Sequence, residues 1–231
     1  MKIITLIIDG TEIKARSGEK ILWAALDNGF YISNLCSLRD DKKAQASCRL
    51  CFIEIEGRNA PVTACTEPAK DGMRVLLNTP AVKSLRNTSF ELLLSHHKLG
   101  CRNCPKNGNC ELQNVATKLG LKLNLPRFKP IERNMPLDTS HPLFIYDPSR
   151  CVLCGRCVRI CHEQGTGVLD VAFRGIKTMV STFGGIPIAE AGCNSCLACV
   201  AVCPVAALVA KNDSVAYGNV SVAIAAGNIE R

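Results

Sequence analysis

Two runs in the C-terminal half share one spacing. They are Cys151-x2-Cys154-x2-Cys157-x3-Cys161 and, 42 residues on, Cys193-x2-Cys196-x2-Cys199-x3-Cys203 followed by Pro204. Three thiolates, each separated by two residues, can wrap one corner of an iron–sulfur cubane while the intervening amides turn toward its sulfur atoms. This is the bacterial two-cluster pattern, in which the fourth cysteine ligates the other cluster. Cys151, Cys154, Cys157 and Cys203 are therefore expected to hold one 4Fe–4S centre, and Cys161, Cys193, Cys196 and Cys199 the other. Zinc competes for such residues but takes separated Cys-x2-Cys pairs rather than triplets. His162 stands where the first run would ordinarily carry proline, a position that does not ligate.

The remaining seven cysteines fall into two further sets. Cys36-x11-Cys48-x2-Cys51-x13-Cys65 keeps the central Cys-x2-Cys of the plant-type 2Fe–2S pattern with a longer first gap. The alternative is four buried free thiols. Cys101-x2-Cys104-x5-Cys110 supplies three ligands where a cubane needs four, and His97 lies just upstream. His97 is favoured over His96, although both follow a leucine four residues earlier (Leu93 and Leu92), so helical phase does not choose between them. With one histidine the fifteen cysteines make sixteen ligands, enough for one 2Fe–2S and three 4Fe–4S clusters. A neutral imidazole leaves its cluster less negative and raises its potential relative to an all-cysteine centre.

Composition agrees with a chain organised around such groups. Only 5% of the 231 residues are aromatic, with Trp23 the single tryptophan, so no one large core is implied. The apolar stretch after Lys2 is broken at once by Asp9-Gly10, which is neither a signal peptide nor a twin-arginine leader. A cytoplasmic location is expected, where disulfides are disfavoured and clustered cysteines read as metal ligands. The longest apolar stretch, residues 197–210, contains two cysteines and a proline and is too short for a membrane span. The formal charge of +8 invites nucleic-acid binding. Ligating thiols are deprotonated, however, and four loaded clusters would contribute about −7, leaving the holo-protein near neutral. No nucleic-acid partner is expected.

The elements that must position these residues follow from pattern and turn chemistry. Strands are expected at residues 2–8 and 11–15 around the Asp9-Gly10 hairpin signal. A helix start at Ser17 should lead into helical residues 21–27, closed by Gly29. Short strands are expected at 49–56, 60–66 and 73–77, together an α+β unit over residues 1–79. Pro80 suits a first helical turn before 81–97, and a short helix at 111–119 should end at Gly120. Residues 80–125 are expected to form a small helical domain. A proline-rich strap at 126–149 follows, then the cysteine repeat at 150–210 and a tail at 211–231.

The order of these motifs resembles the iron–sulfur half of the large subunit of soluble NAD-linked hydrogenases. It is also similar to the N-terminal part of the 75-kDa subunit of respiratory complex I. Cys48-Arg49-Leu50-Cys51, Ala64-Cys65-Thr66 with Gly72-Met73, and Asn109-Cys110-Glu111-Leu112-Gln113 carry the likeness. The resemblance implies a β-grasp 2Fe–2S domain, a cubane on one histidine and three cysteines, and a two-cluster ferredoxin domain. It further implies a flavin-bearing, NADH-oxidising partner, a hydrogenase catalytic subunit and a soluble ferredoxin as exchange partners. Both ferredoxin-type quartets are complete, which leans toward the electron-bifurcating group. In iron-only members of that group a hydrogen-activating domain follows; here 28 residues follow Cys203 and no cysteine remains for such a site.

No catalytic residue stands out. Gly165-Thr166-Gly167 lacks the third glycine of a dinucleotide-binding turn and is expected to be a loop, and His141 in the strap is expected to be structural or superficial. The expected role is therefore a non-catalytic electron relay. The alternatives are the same relay in a formate dehydrogenase, transhydrogenase or complex I-like diaphorase, or the input half of a truncated catalytic subunit. A sensor or structural zinc protein would need far fewer metals.

Overall fold

Asp9 and Gly10 both take positive φ (46° and 85°), the backbone that a type I′ hairpin turn requires and Asp-Gly favours. In the computed structural model, which describes residues 2–39, 41, 43–132, 135–164 and 166–211, they join β1 (Ile3–Ile8) to β2 (Thr11–Arg16). The register runs from Ile3 opposite Arg16 to Ile8 opposite Thr11. Ile4, Leu6 and Ile8 alternate onto the buried face with Ile13 and Ala15, as the strand period of two dictates. Helix α1 (Ile21–Asp27) lays Ile21, Leu22, Ala24 and Ala25 into the same core.

Three short strands complete the sheet: β3 (Phe52–Ile55), β4 (Val62–Thr63) and β5 (Arg74–Leu76), in the order β2-β1-β5-β3-β4. β5 runs parallel to β1, and the other pairs are antiparallel. A hairpin, a helix and a parallel closing strand give the β-grasp arrangement, and the α+β class expected from the sequence holds. The expected helix start at Ser17 does not. Lys20 precedes the helix with extended backbone and no side-chain cap. The amides of Ile21 and Leu22 instead donate to the carbonyls of Glu67 (2.9 Å) and Ala64 (3.1 Å). A neighbouring loop thus satisfies the helix end that a capping side chain would otherwise serve.

Helix α2 (Pro80–Ser95) begins with Pro80 in the first turn and with the Val82 amide donating to Thr79 Oγ1 (3.2 Å). It ends two residues before the expected boundary at 97. Its stripe Val82, Arg86, Phe90, Leu94 is buried at a spacing of four, and it packs against β3. Helix α3 (Glu111–Leu119) has the expected limits, with Gly120 at φ 64° just beyond.

The structure divides into two compact units: Met1–Ser95 with Val115–Lys129, and His96–Asn114 with Pro130–Arg231. The segment 80–125 is thereby shared between them. In the second unit the strap is not irregular throughout. Its end forms β6 (Phe144–Tyr146), paired antiparallel with β9 (Leu208–Ala210), and Asp138 bridges to Tyr146. The cysteine runs lead into α4 (Arg156–Glu163) and α5 (Ala198–Val202), which pack on each other. Between the runs, β7 (Asp170–Ala172) and β8 (Met179–Ser181) form a hairpin. Gly165 and the tail from residue 212 lie outside the described residues, among which no helix is long and apolar enough to cross a membrane.

Candidate iron–sulfur centres

In the first unit Cys36, Cys48, Cys51 and Cys65 are all buried. Cys36 lies within hydrogen-bonding reach of Cys48 and Cys65, and Cys51 of Cys65, so the four thiols gather from two loops. The Leu35 amide faces Cys48 Sγ at 3.4 Å, and Ser33 Oγ donates to the Leu50 carbonyl at 2.9 Å. The Ala64 amide donates to the Cys51 carbonyl (2.9 Å). Since Ala64 also caps α1, the Cys65 loop is fixed to both the helix and the Cys51 loop. Ala46 and Arg49 hold left-handed φ (50° and 55°), a strain non-glycine residues keep where the surroundings demand it. Hydrogen bonds from Cys48 and Cys65 pull the Cys36 thiol well below its ordinary range, and that neighbour pushes Cys48 and Cys65 up.

The third set lies in the second unit. The His97 Nδ1 sits 2.7 Å from the Arg150 carbonyl. A carbonyl only accepts, so Nδ1 carries the proton and Nε2 keeps its lone pair, the tautomer a ligating imidazole needs. Burial lowers the pKa of His97 and keeps it neutral. Cys101 opens a single 3₁₀ turn closed by the Cys104 amide on the Cys101 carbonyl (3.1 Å). Burial raises the Cys110 thiol, with Cys104 and Cys101 adding to the rise. Gln113 explains the Asn109–Gln113 motif: its Oε1 accepts from the Gly108 amide (2.8 Å) and its Nε2 donates to Asn107 Oδ1 (2.9 Å). The loop is joined to the cysteine repeat by Lys98 N to Ser149 O (2.8 Å), Glu111 N to Pro204 O (3.0 Å) and Lys106 Nζ to the Cys203 carbonyl.

The repeat builds two narrow, largely enclosed cavities. Cys151, Cys154, Cys157 and Cys203 line one, and Cys161, Cys193, Cys196 and Cys199 line the other. The fourth cysteine of each run thus faces the cavity of the other. Burial raises Cys157, with Cys151, Cys154 and Cys203 adding to the rise. Burial likewise takes Cys199 up to about 12, with Cys193, Cys196 and Cys161 adding. Backbone conformation repeats with the sequence. Leu153 and Gly155 have φ of 54° and 72°, and their counterparts Ser195 and Leu197 have 60° and 59°. Leu197 therefore holds the left-handed conformation that glycine holds in the first run.

Among the described residues, no three His, Cys, Asp or Glu side chains converge on a single-ion site. A tetrahedral zinc draws thiolates to about 2.3 Å from one point. In the repeat the thiols are instead set around the walls of two cavities, as a polynuclear group held by its corners requires. The apolar setting makes thiolates costly, and deprotonated ligands are what bound iron would stabilise. The donor set therefore fits clusters better than isolated thiols or zinc. Two wider grooves of about 430 and 610 Å³ run past Met135, Tyr146, Phe173 and Met179 and contain none of the sixteen candidate ligands.

Two residues have roles the sequence did not reveal. His141, expected to be structural or superficial, is buried and stacked on Phe144 at 4.1 Å. Its Nδ1 accepts from the Leu143 amide (3.2 Å), so Nε2 donates to Ser195 Oγ (3.2 Å) in the second cysteine run. Arg86 is 3% exposed, and its spacing within the apolar stripe of α2 was the available signal.

Comparison with known proteins agrees with this division. Residues 2–80 match a 2Fe–2S iron–sulfur cluster binding domain. Residues 86–123 match the NADH-ubiquinone oxidoreductase-G iron–sulfur binding region, and residues 150–207 a 4Fe–4S dicluster domain. One 2Fe–2S domain, one 4Fe–4S region and one dicluster domain account for the cofactors expected from the sequence. The NADP-reducing hydrogenase subunit HndD of Solidesulfovibrio fructosivorans is 37% identical over 215 residues, 90% of this chain and 36% of that protein. The NADH-ubiquinone oxidoreductase 75 kDa subunit of Reclinomonas americana is 32% identical over 212 residues, 90% of this chain and 30% of that protein. The chain thus spans about a third of the length of these two relatives. A chain in the crystal structure of NAD+-reducing NiFe-hydrogenase in the H2-reduced state superimposes with a TM-score of 0.82 at 32% identity, covering 91% of this chain and 88% of that one.

Proposed function

The chain belongs to the family of iron–sulfur subunits that includes this NAD+-reducing hydrogenase chain and the N-terminal part of the complex I 75-kDa subunit. From that premise we propose that it relays electrons between a flavin-bearing, NADH-oxidising subunit and a hydrogenase catalytic subunit or a soluble ferredoxin. Cys36, Cys48, Cys51 and Cys65 hold a 2Fe–2S cluster in this proposal, and His97, Cys101, Cys104 and Cys110 a 4Fe–4S cluster. The crossed quartets of the repeat hold two more. The clusters, when bound, supply one-electron transfer; the protein supplies position and potential.

The observation that carries the proposal is the crossing of Cys161 and Cys203 between two cavities. Crossed ligation holds both cavities in one small module, which suits hopping between centres and serves no single-site catalyst. The His97 loop is tied to the same module through Lys98, Lys106 and Glu111, so three of the four sets share a unit. The imidazole of His97 makes its set less negative than the others, a graded step in potential along one chain. Arg150 supports that imidazole through its carbonyl.

The test is anaerobic purification with native partners, followed by NADH addition under hydrogen-free gas. A co-purifying flavin subunit, NADH-dependent reduction of the cluster signals and hydrogen turnover are expected. Reduction by NADH without hydrogen turnover would move the terminus to formate or NADPH. A loaded chain that NADH does not reduce in the presence of its partners would overturn the relay.

A further inference from the structure

Among the described residues, Arg86 is a buried cation with no buried carboxylate beside it. It projects from the middle of α2 into the first unit, 3% exposed, and Nη2 donates to the Phe52 carbonyl at 2.6 Å. Its Nε is buried with no hydrogen-bond partner. Among the described residues no carboxylate lies within ion-pair distance of it. Asp9, a negative group in its field, is exposed and engaged by the Leu77 amide (2.8 Å). By contrast Arg150, also buried at one nitrogen, has Asp147 at 3.1 Å.

A guanidinium does not shed its proton in a protein, and a buried charge left without a counter-charge is strongly unfavourable. The largest compensating charge in its field is a thiolate at Cys51, which immediately precedes the Phe52 it already touches. Burial pulls Arg86 below its usual range, while a thiolate at Cys51 pulls it back up. Valine, phenylalanine and leucine fill the other positions of the same buried stripe, so the arginine is not there to pack.

We propose that Arg86 is the counter-ion of the Cys36/Cys48/Cys51/Cys65 centre, neutralised by the thiolates of the loaded cluster and not by any carboxylate. The inference rests on that ligand assignment. Two consequences follow. Arg86 favours the more negative, reduced form and so raises the potential of this centre. It also links loading to stability, because the unloaded unit keeps an uncompensated buried charge.

The experiment uses the full chain, anaerobically loaded, as wild type, Arg86→Met and Arg86→Lys. The 2Fe–2S signal is followed by electron paramagnetic resonance during a redox titration, and thermal unfolding is recorded with and without iron. Arg86→Met should shift the 2Fe–2S midpoint to lower potential and leave the three cubane midpoints in place, while Arg86→Lys should restore most of the shift. The gap in melting temperature between loaded and unloaded protein should shrink in Arg86→Met. An unchanged 2Fe–2S midpoint in a loaded Arg86→Met variant overturns the inference and leaves the cluster assignment standing. If Arg86→Met does not load, the unloaded proteins decide. An unloaded variant at least as stable as unloaded wild type supports the inference, and a less stable one assigns Arg86 a purely structural role. A wild type without a 2Fe–2S signal sinks the ligand assignment itself.

Discussion

The two cysteine runs of the second unit share spacing and backbone but not surroundings. Cys151, Cys154, Cys157 and Cys203 are all buried, whereas in the crossed set Cys193 is half-buried and Cys196 exposed. The first run is flanked by Arg150, Arg156 and Arg159, and Arg159 Nη1 reaches the Cys154 carbonyl at 3.4 Å. No basic residue lies between Cys193 and Cys203. Negative charge is therefore supported in two ways, by nearby guanidinium groups at the buried set and by water at the open one. One ligand spacing can thus serve centres of different accessibility and potential, because second-layer groups and solvent set both.

The largest effect that tests this comparison comes from the crossed cysteines. Cys203→Ala should remove the centre of the first run, and Cys161→Ala that of the second. Each should lose about four irons per chain, read by iron analysis and by which cubane signal disappears. Uncrossed ligation would exchange the two signals. Next in size is the order of loss: a chelator or limited oxygen should strip the Cys161/Cys193/Cys196/Cys199 centre before the buried one, followed as two separable decays in the spectrum. Equal rates would mean that the exposure of Cys196 does not matter.

Smaller effects concern the backbone. Gly155→Ala should destabilise by about 1–2 kcal/mol, the cost of a side chain in the left-handed region, since φ is 72° and a Cβ would meet Arg159 Nη1 at 3.3 Å. At the equivalent position Leu197→Gly relieves similar strain but gives up some apolar burial. Its unfolding free energy should stay within about 1 kcal/mol of wild type by denaturant titration. The smallest effect is pH-dependent. Burial, reinforced by Lys211 and opposed by Asp138, lowers the pKa of His141. Its contribution is therefore present above the ordinary histidine pKa of about 6.5 and lost as pH falls below it, because the unfolded chain takes the proton first. His141→Asn should flatten the stability–pH curve below that point.

Much of this was legible because ligand spacing is local. The sets, α1, α3 and the Asp9-Gly10 hairpin follow from residues a few positions apart. Ser17 misled because the amides of α1 are served by Glu67 and Ala64, more than forty residues on. Strand β6 was hidden in the proline-rich strap because three residues carry no usable period, and its partner β9 is some sixty residues away. His141 was equally unreadable: Phe144 and Ser195 decide its burial and tautomer, and neither follows from its own neighbourhood. His97 gained its support the same way, through the distant Arg150 carbonyl. Arg86 was legible in principle, as the one charge in an i, i+4 apolar stripe.

The central claim is that this chain carries four clusters, and the most direct measurement is iron and acid-labile sulfide per chain in the anaerobically purified protein, with Mössbauer spectra. The expected result is about 14 irons, divided as one 2Fe–2S and three 4Fe–4S sites, with one cubane distinguished by its histidine. Zinc in place of iron, or about four irons or fewer per chain after full reconstitution, would contradict it.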